Sequence, residues 1–417
     1  MRKRAVLGKR SRVLFVTWDG PEYHYLESLF LPIFAGLKDH GFDFDVLQFT
    51  WGGAERRAET AAAAARLGIG YRWVEVIRKP VAAGSLLTAI LAGRTIRRAA
   101  RDHASDIVLA RSTLPALATM LARGAGATWR FVLDLDGFPT EERVEFAGLD
   151  PRSAIARLLW GIERRAIRDA DAITVRSSAV IRLIQNRDGV TIPTDKFFRI
   201  PNCRDERQFR PADLAGRLAA RRRLGLPDDA RVIAYVGSSL SGKYRGDSLL
   251  DLFGAVRRSL SSARLLILTS EPAKARDLLM TRASQLAPYV VIDQAPATEV
   301  PFLLGAADLG TAFIEPSPSM QAAAAVKLGE YLLCGLPVVA TKGIGDVHER
   351  LGGPAVLFLD DNGTTEIARA AAWFCSWVDE EAGPDRRGEA RAAGLAEYGL
   401  EAGALDYVRA LRHALAQ

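Results

Sequence analysis

The chain has 417 residues, 49% of them hydrophobic and 25% charged, with a formal net charge of +7. At the usual span of about 100–200 residues per domain this length calls for two domains, and the composition excludes a disordered or fibrous chain. No window approaches the roughly 20 uninterrupted apolar residues that span a bilayer. The three cysteines, Cys203, Cys334 and Cys375, form no CxxC pair, which argues against a disulfide framework or structural zinc and for a reducing, cytoplasmic setting.

The chain opens with Arg2, Lys3, Arg4, Lys9, Arg10 and Arg12. This leader lacks the apolar core of a signal peptide, and its charge would suit the anionic inner face of a membrane. Much of the remaining arginine reads as solvated helix surface. Neither zinc-finger spacing nor the aromatic-and-glycine pattern of an RNA-binding sheet occurs, so nucleic acid is not expected as a partner. Residues 12–17 then read as a buried strand. Helical spacing predicts a helix over 25–39, followed by a strand at 44–49, an alanine-rich helix at 54–67 closed by Gly68, and a strand at 71–76. A helix at 86–101, a strand at 107–110, a helix at 114–123 and a strand at 130–135 continue the alternation. A loop is expected at 138–150, a long helix at 151–170 and a strand at 172–175. Such alternation means a parallel sheet with helices on both faces.

Around 197–211 the pattern changes, and a boundary is placed at residue 205. A second α/β series follows, with strands at 232–236, 265–269, 290–292, 309–313, 338–340 and 356–359. The fold class is therefore α/β with two doubly wound parallel sheets, spanning 1–205 and 206–417. Within the second series, 326–346 is the most informative stretch. Leu328, Tyr331, Leu332 and Leu333 mark a helix, Gly335 fits its left-handed stop, and Pro337 follows where no helix can restart. The apolar run at 338–340 then ends in a loop with Gly343 and Gly345. In open parallel sheets ligands bind at that end of the strands.

Lys327-Leu328-Gly329-Glu330-Tyr331 followed by Cys334-Gly335-Leu336-Pro337-Val338-Val339 resembles the nucleotide-sugar site of the retaining glycosyltransferases of family 4. The resemblance runs through the second half and thins in the first. It is supported by Ile200-Pro201-Asn202-Cys203-Arg204-Asp205, with Cys203 where the family has glycine, and by Tyr235-Val236-Gly237-Ser238 followed by Lys243 and Arg245. It implies the GT-B fold, two Rossmann-like domains facing a central cleft, with the donor on the second and the acceptor on the first. The last helix of such proteins often crosses back to the first domain, as 405–415 could here.

The resemblance also implies roles. Glu330 would hold the ribose. Lys243 or Arg245, near Gly237 and Ser238, would hold the diphosphate, with Lys327 either a second phosphate contact or a surface ion pair. Ser319 would cap the Glu330 helix and, with Met320, Gly343 and Gly345, face the donor. Many relatives carry a glutamate where this chain has Ala322. In the first half, Asp134-Leu135-Asp136-Gly137 reads alone as a metal-binding DxD. At a strand end in this fold it reads instead as substrate contact by Asp136 and Gly137, where relatives have Arg or His before the glycine. Asp19, Gly20, Tyr23, His24 and Arg111 follow first-domain strands and would contact substrate. Glu163 and the 173–177 segment match an architectural part of the family's pattern.

No GxGxxG follows the first strand, which argues against a nicotinamide dehydrogenase. No Ser-His-Asp or Cys-His arrangement is evident. The expectation is a retaining transferase that moves a sugar from a UDP- or GDP-sugar to a saccharide or lipid-linked acceptor without a metal cofactor, in surface polysaccharide or glycolipid assembly. A sugar-nucleotide epimerase and a catalytically silent GT-B subunit are the alternatives.

Overall fold

The computed structural model describes residues 10–22, 24–124, 126–188, 192–379 and 386–417. Most of the basic leader and Tyr23 therefore lie outside the described residues. The chain divides into two units: one holds residues up to Pro201 together with Gly403–Gln417, the other Asn202–Ala402. The division falls four residues before the boundary expected at 205, and the final stretch belongs with the first unit.

The first unit is built on strands β1 (Ser11–Trp18), β2 (Phe42–Thr50), β3 (Gly70–Glu75), β4 (Ile107–Arg111), β5 (Arg130–Leu135), β6 (Ala172–Val175) and β7 (Phe197–Arg199). They form one sheet in the order β3-β2-β1-β4-β5-β6-β7, every pairing parallel. The centre of the sheet is apolar because it is covered on both faces. Val13, Phe15, Val16 and Ile107 through Ala110 are wholly buried. Phe15 packs on Phe30 and Phe34, each at 4.9 Å between ring centroids, and Phe34 stacks on Phe44 at 4.1 Å. Each such ring contributes roughly 1.5–3 kcal/mol by leaving water.

Two expectations change here. The single helix expected at 25–39 is a π-helical turn at Leu26–Phe30, an α-helix at Leu31–Leu37 and a 3-10 turn at Lys38–His40. Gly41 closes it at φ +92°, a conformation glycine adopts without strain. The loop expected at 138–150 contains the helix Pro139–Phe146. Its start carries ordinary helix-initiating chemistry, a proline in the first turn followed by Glu141 and Glu142.

The second unit has strands β8 (Arg231–Val236), β9 (Ala263–Leu268), β10 (Val290–Asp293), β11 (Leu309–Ala312), β12 (Val338–Thr341) and β13 (Val356–Leu359). Their order is β10-β9-β8-β11-β12-β13, again all parallel. Strand order reverses between β1 and β4 in the first sheet and between β8 and β11 in the second. Loops leaving such neighbouring strands diverge and open a crevice at the strands' C-terminal ends. Both candidate clusters lie at these reversals.

The helix bearing Glu330 is Val326–Leu333. It ends as its sequence predicts. Gly335 sits at φ +71°, its amide donates to the Leu332 carbonyl at 2.9 Å, and the Leu336 amide donates to the Tyr331 carbonyl at 2.9 Å. This is the paired hydrogen-bond pattern of a left-handed glycine stop. The helix start differs from expectation. The residue before it is Ala325, and Ser319 instead precedes a separate 3-10 turn at Met320–Ala322. The alanines between are extended, and the Ala324 carbonyl is taken by the Asn202 side-chain amide at 3.0 Å.

Candidate functional site

In the second unit, β8 ends at Val236 and the chain turns at Gly237. A Cβ at Gly237 would lie 2.7 Å from Tyr235 Oη and 2.9 Å from Lys327 Nζ, so the backbone here rests directly on the Lys327 ammonium. Lys327 is 7% exposed, and its Nζ has no hydrogen-bond partner among the described residues. It lies 3.8 Å from the centroid of the Tyr235 ring and 4.7 Å from that of Tyr244. A surface ion pair is therefore not what this residue makes. Two aromatic faces return up to about 2 kcal/mol each to a desolvated cation, against several kcal/mol for burying it. The imbalance shows in the proton equilibrium. Burial pushes the Lys327 pKa down to about 7; Glu330 works against this shift and Lys243 adds to it.

The surrounding frame is rigid. Tyr331 Oη accepts from the Val236 amide at 2.8 Å and donates to the Thr311 carbonyl at 3.3 Å, tying the ends of β8 and β11 together. The loop carrying Lys243 is held to the segment after β11. Tyr244 bridges Ile314, and the Glu315 amide donates to the Lys243 carbonyl at 2.7 Å. Lys243 itself is half-buried. Glu330 Oε1 accepts from Arg204 Nε at 2.9 Å, and Arg204 is almost wholly buried. The linker motif thus holds the helix in two places, through Asn202 and Arg204.

Other expected donor residues behave differently. Arg245 is committed to carboxylates: Asp247 at 2.9 Å first, then Glu315, and these contacts raise its pKa. It is thus not the open cation expected at a diphosphate site. Ser319 and Met320 are buried at 1% and 2% exposure, which places both side chains in the interior instead of facing a ligand. Gly343 and Gly345 take φ of +78° and +62° and build the turn after β12; the Gly345 amide donates to the Met320 carbonyl at 2.9 Å. Ser238 is exposed, and its carbonyl accepts from the hydroxyls of Thr269 and Ser270. Ala322 is wholly buried.

The first unit holds a second polar cluster, at the ends of β1, β4, β5 and β6. Arg111, closing β4, donates to Asp19 at 3.2 Å and to Asp136. Arg176, just past β6, donates to both oxygens of Asp134 at 2.8 and 2.7 Å and to Asp136 at 3.2 Å. Thr174 donates to Asp134 at 2.6 Å, and Thr17 to Asp19 at 2.7 Å. Asp134 is wholly buried, and burial raises its pKa against the pull of Arg176. Asp136 is also desolvated, yet Arg111 and then Arg176 hold its carboxyl below the usual range. The pair that reads alone as a DxD is thus engaged by guanidinium groups. Among the described residues no group of three or more His, Cys, Asp or Glu side chains is arranged to hold a metal ion.

Asp19 was expected to contact substrate, but it is buried and saturated by Thr17 and Arg111. Arg111 is likewise internal; its guanidinium also lies 4.9 Å from the Phe30 ring centroid. Asp136 alone among the three carboxylates keeps partial exposure, at 27% of its side chain. His24 is exposed, and its carbonyl accepts from both the amide and the hydroxyl of Ser28. Gly20 is required by space, since a Cβ there would lie 2.5 Å from Trp51 and the Glu22 carboxylate. Gly137 takes φ +97° just after Asp136. Glu163 is architectural: buried, it accepts from Thr113 at 2.9 Å and Thr140 at 2.6 Å.

Sequence reading missed Arg176, Arg204, Tyr235 and Tyr244. A signal existed for Arg176, a charged residue directly after the apolar strand Ala172–Val175. Tyr235 stood in a quoted motif without a role of its own, and Tyr244 between two quoted cations.

Residues 29–203 match the family model described as a glycosyl transferase 4-like domain. The chain has the GT-B fold, and its first unit is similar to that domain. A glycosyltransferase from Rickettsia africae superposes on this GT-B chain with TM-score 0.71 at 14% identity, over 97% of this chain and 99% of the other. The Anabaena protein HepE, in complex with UDP and glucose, gives 0.69 at 17% identity, over 97% and 100%. A UDP-GlcNAc 2-epimerase from Neisseria meningitidis, bound to UDP-GlcNAc, gives 0.58 at 14% identity, over 96% and 99%. No curated protein matches the chain in sequence.

Proposed function

We propose that this GT-B protein transfers a sugar, with retention, from a nucleoside-diphosphate sugar to an acceptor hydroxyl. The observation that carries the reading is Lys327, a buried cation left without an acceptor at the strand-order reversal of the second sheet. An unpaired buried charge is costly, and one kept at a ligand-binding position implies a partner that arrives with the ligand. A diphosphate supplies that partner. Lys243, close enough to depress the Lys327 pKa, adds a second positive charge, and the first amides of the Val326–Leu333 helix point the same way as any helix start.

Glu330 accepts one hydrogen bond from Arg204 on Oε1; its other oxygen has no protein donor among the described residues and is suited to ribose hydroxyls. As the sugar leaves, charge develops on the diphosphate, and fixed cations stabilise that state with little reorganisation. The leaving phosphate then takes the acceptor's proton on the same face, without a protein nucleophile or a metal. Asp136, partly exposed and held ionised by Arg111 and Arg176, is the first-unit group suited to a sugar hydroxyl. UDP is the favoured nucleotide by likeness to HepE. A saccharide or lipid-linked acceptor, surface polysaccharide or glycolipid assembly, and action at the inner face of the membrane complete the reading.

The test is calorimetry with UDP-glucose and GDP-mannose, followed by product analysis with and without acceptor. Binding of one donor, and its loss in Lys327→Met, is the expected result. Absence of binding by any nucleotide sugar overturns the reading in favour of a silent subunit. Conversion of the donor sugar with no acceptor present overturns it in favour of an epimerase.

A further inference from the structure

The helix Val81–Asp102 crosses from β3 to β4 and packs on the helix Thr113–Arg123. Its inner face is narrow and small, with Ala89, Ala92, Gly93 and Ile96 buried. Its outer face bears Leu87, Ile90 and Leu91, exposed at 46%, 50% and 62%. Two further turns on the same face carry Arg94, Arg98 and Arg101, all exposed. At 3.6 residues per turn these six positions share roughly a third of the helix circumference. The helix contains one acidic residue, Asp102 at its end; that carboxylate is paired with Arg72 at 2.9 Å and lies 3.9 Å from Arg98, whose side chain stays 78% exposed, while Arg94 and Arg101 make no ion pair among the described residues. Exposed Ile77 and Val81 extend the apolar area into the segment that enters the helix.

We propose that this outer face is a docking surface for an anionic lipid bilayer. The charge pattern selects the occupant. An apolar strip followed along one face by arginines, without intervening carboxylates, matches the boundary between acyl chains and anionic headgroups. No helix among the described residues is long and apolar enough to cross a membrane, so the contact lies on the surface. The helix begins beyond the end of β3, at the same edge of the sheet from which the Gly20, Arg111 and Asp136 loops emerge. A bilayer docked there meets that edge, which fits a lipid-linked acceptor; this last step alone rests on the transferase reading.

The test is co-sedimentation of the full chain with mixed vesicles of phosphatidylcholine and phosphatidylglycerol, and with phosphatidylcholine alone. Binding to the mixed vesicles, weakened by salt, is expected. Leu87→Asp with Leu91→Asp should cut it at least about ten-fold. Arg94→Ala, Arg98→Ala and Arg101→Ala should cost roughly five-fold each. Unchanged thermal melting shows that these exposed substitutions leave the fold intact. Failure of the native chain to bind either vesicle overturns the proposal, and self-association through the same leucines in place of binding does so in favour of a second copy. Native-like binding by the leucine and arginine variants, with loss on Arg2→Ser, Lys3→Ser, Arg4→Ser and Lys9→Ser together, assigns the contact to the leader and also overturns it. The assay measures no sugar transfer, so its failure leaves the transferase reading untouched.

Discussion

The two units bury charge in opposite ways. In the first, Asp19, Asp134 and Asp136 are matched by Arg111 and Arg176, and the deepest carboxylate, Asp134, accepts three hydrogen bonds from Arg176 and Thr174. In the second, Lys327 is buried with two tyrosine rings beside it and no acceptor among the described residues. A charge-matched network fixes the positions of strand ends. An unsatisfied cation stores an unfavourable energy that an anionic ligand can relieve. The first cluster is thus chiefly a scaffold with Asp136 at its rim, and the second is the proposed donor site, where a buried amine lacks an anionic partner.

This contrast can be broken experimentally, and the largest effect belongs to the first unit. Arg176→Met strands Asp134 and half of the pairing of Asp136, and should cost about 3–5 kcal/mol of stability in urea denaturation. A loss under ~1 kcal/mol would show that the cluster is not the scaffold described. Lys327→Met should do the reverse. UDP-sugar affinity should fall on the order of 100-fold by calorimetry, the loss of one buried charge partner, while the melting temperature stays level or rises.

Proton linkage sharpens the same contrast. Lys327 titrates near 7 in the folded chain, well below the ordinary 10.5. The unfolded chain therefore binds more protons between those values. The sign is then fixed: the burial penalty is fully present below pH 7 and is relieved as pH rises toward 10.5, so this residue makes stability increase with pH in that window. Ligand affinity runs the other way. A diphosphate favours the protonated amine, so UDP-glucose affinity should hold below pH 7 and weaken above it by up to about ten-fold per unit. Calorimetry in buffers of different ionisation heat should show proton uptake at pH 8, and a pH-independent affinity would remove Lys327 from the ligand contact. The smallest effect is expected at Arg245. Its charge is already spent on Asp247 and Glu315 near the surface, so Arg245→Ala should change affinity by less than about three-fold.

Much of the fold was legible because it is local. Short apolar runs between helical segments identified every strand of the second sheet, and the Gly335 stop follows from a conformation that glycine adopts cheaply. The site was legible in part. Glu330 and Lys327 stand out by type and spacing, yet the start of their helix was misplaced. Alanine favours helix, yet the alanine run is extended, with the Asn202 amide, from 122 positions away, on the Ala324 carbonyl. Asp19 and Arg111 follow strands, as ligand-binding residues often do, but their mutual pairing turns both inward.

By itself the sequence determined two parallel α/β sheets, the place of their strands, the glycine stop after Glu330 and the chemical types gathered near it. Tertiary structure decided which of those groups are spent and which remain available. Arg245 and Arg111 are neutralised by carboxylates, whereas Lys327 is enclosed by Tyr235 and Tyr244 and left unpaired. The physical reason is that a side chain's burial and charge balance depend on residues brought together from distant strands, and no local pattern encodes that meeting.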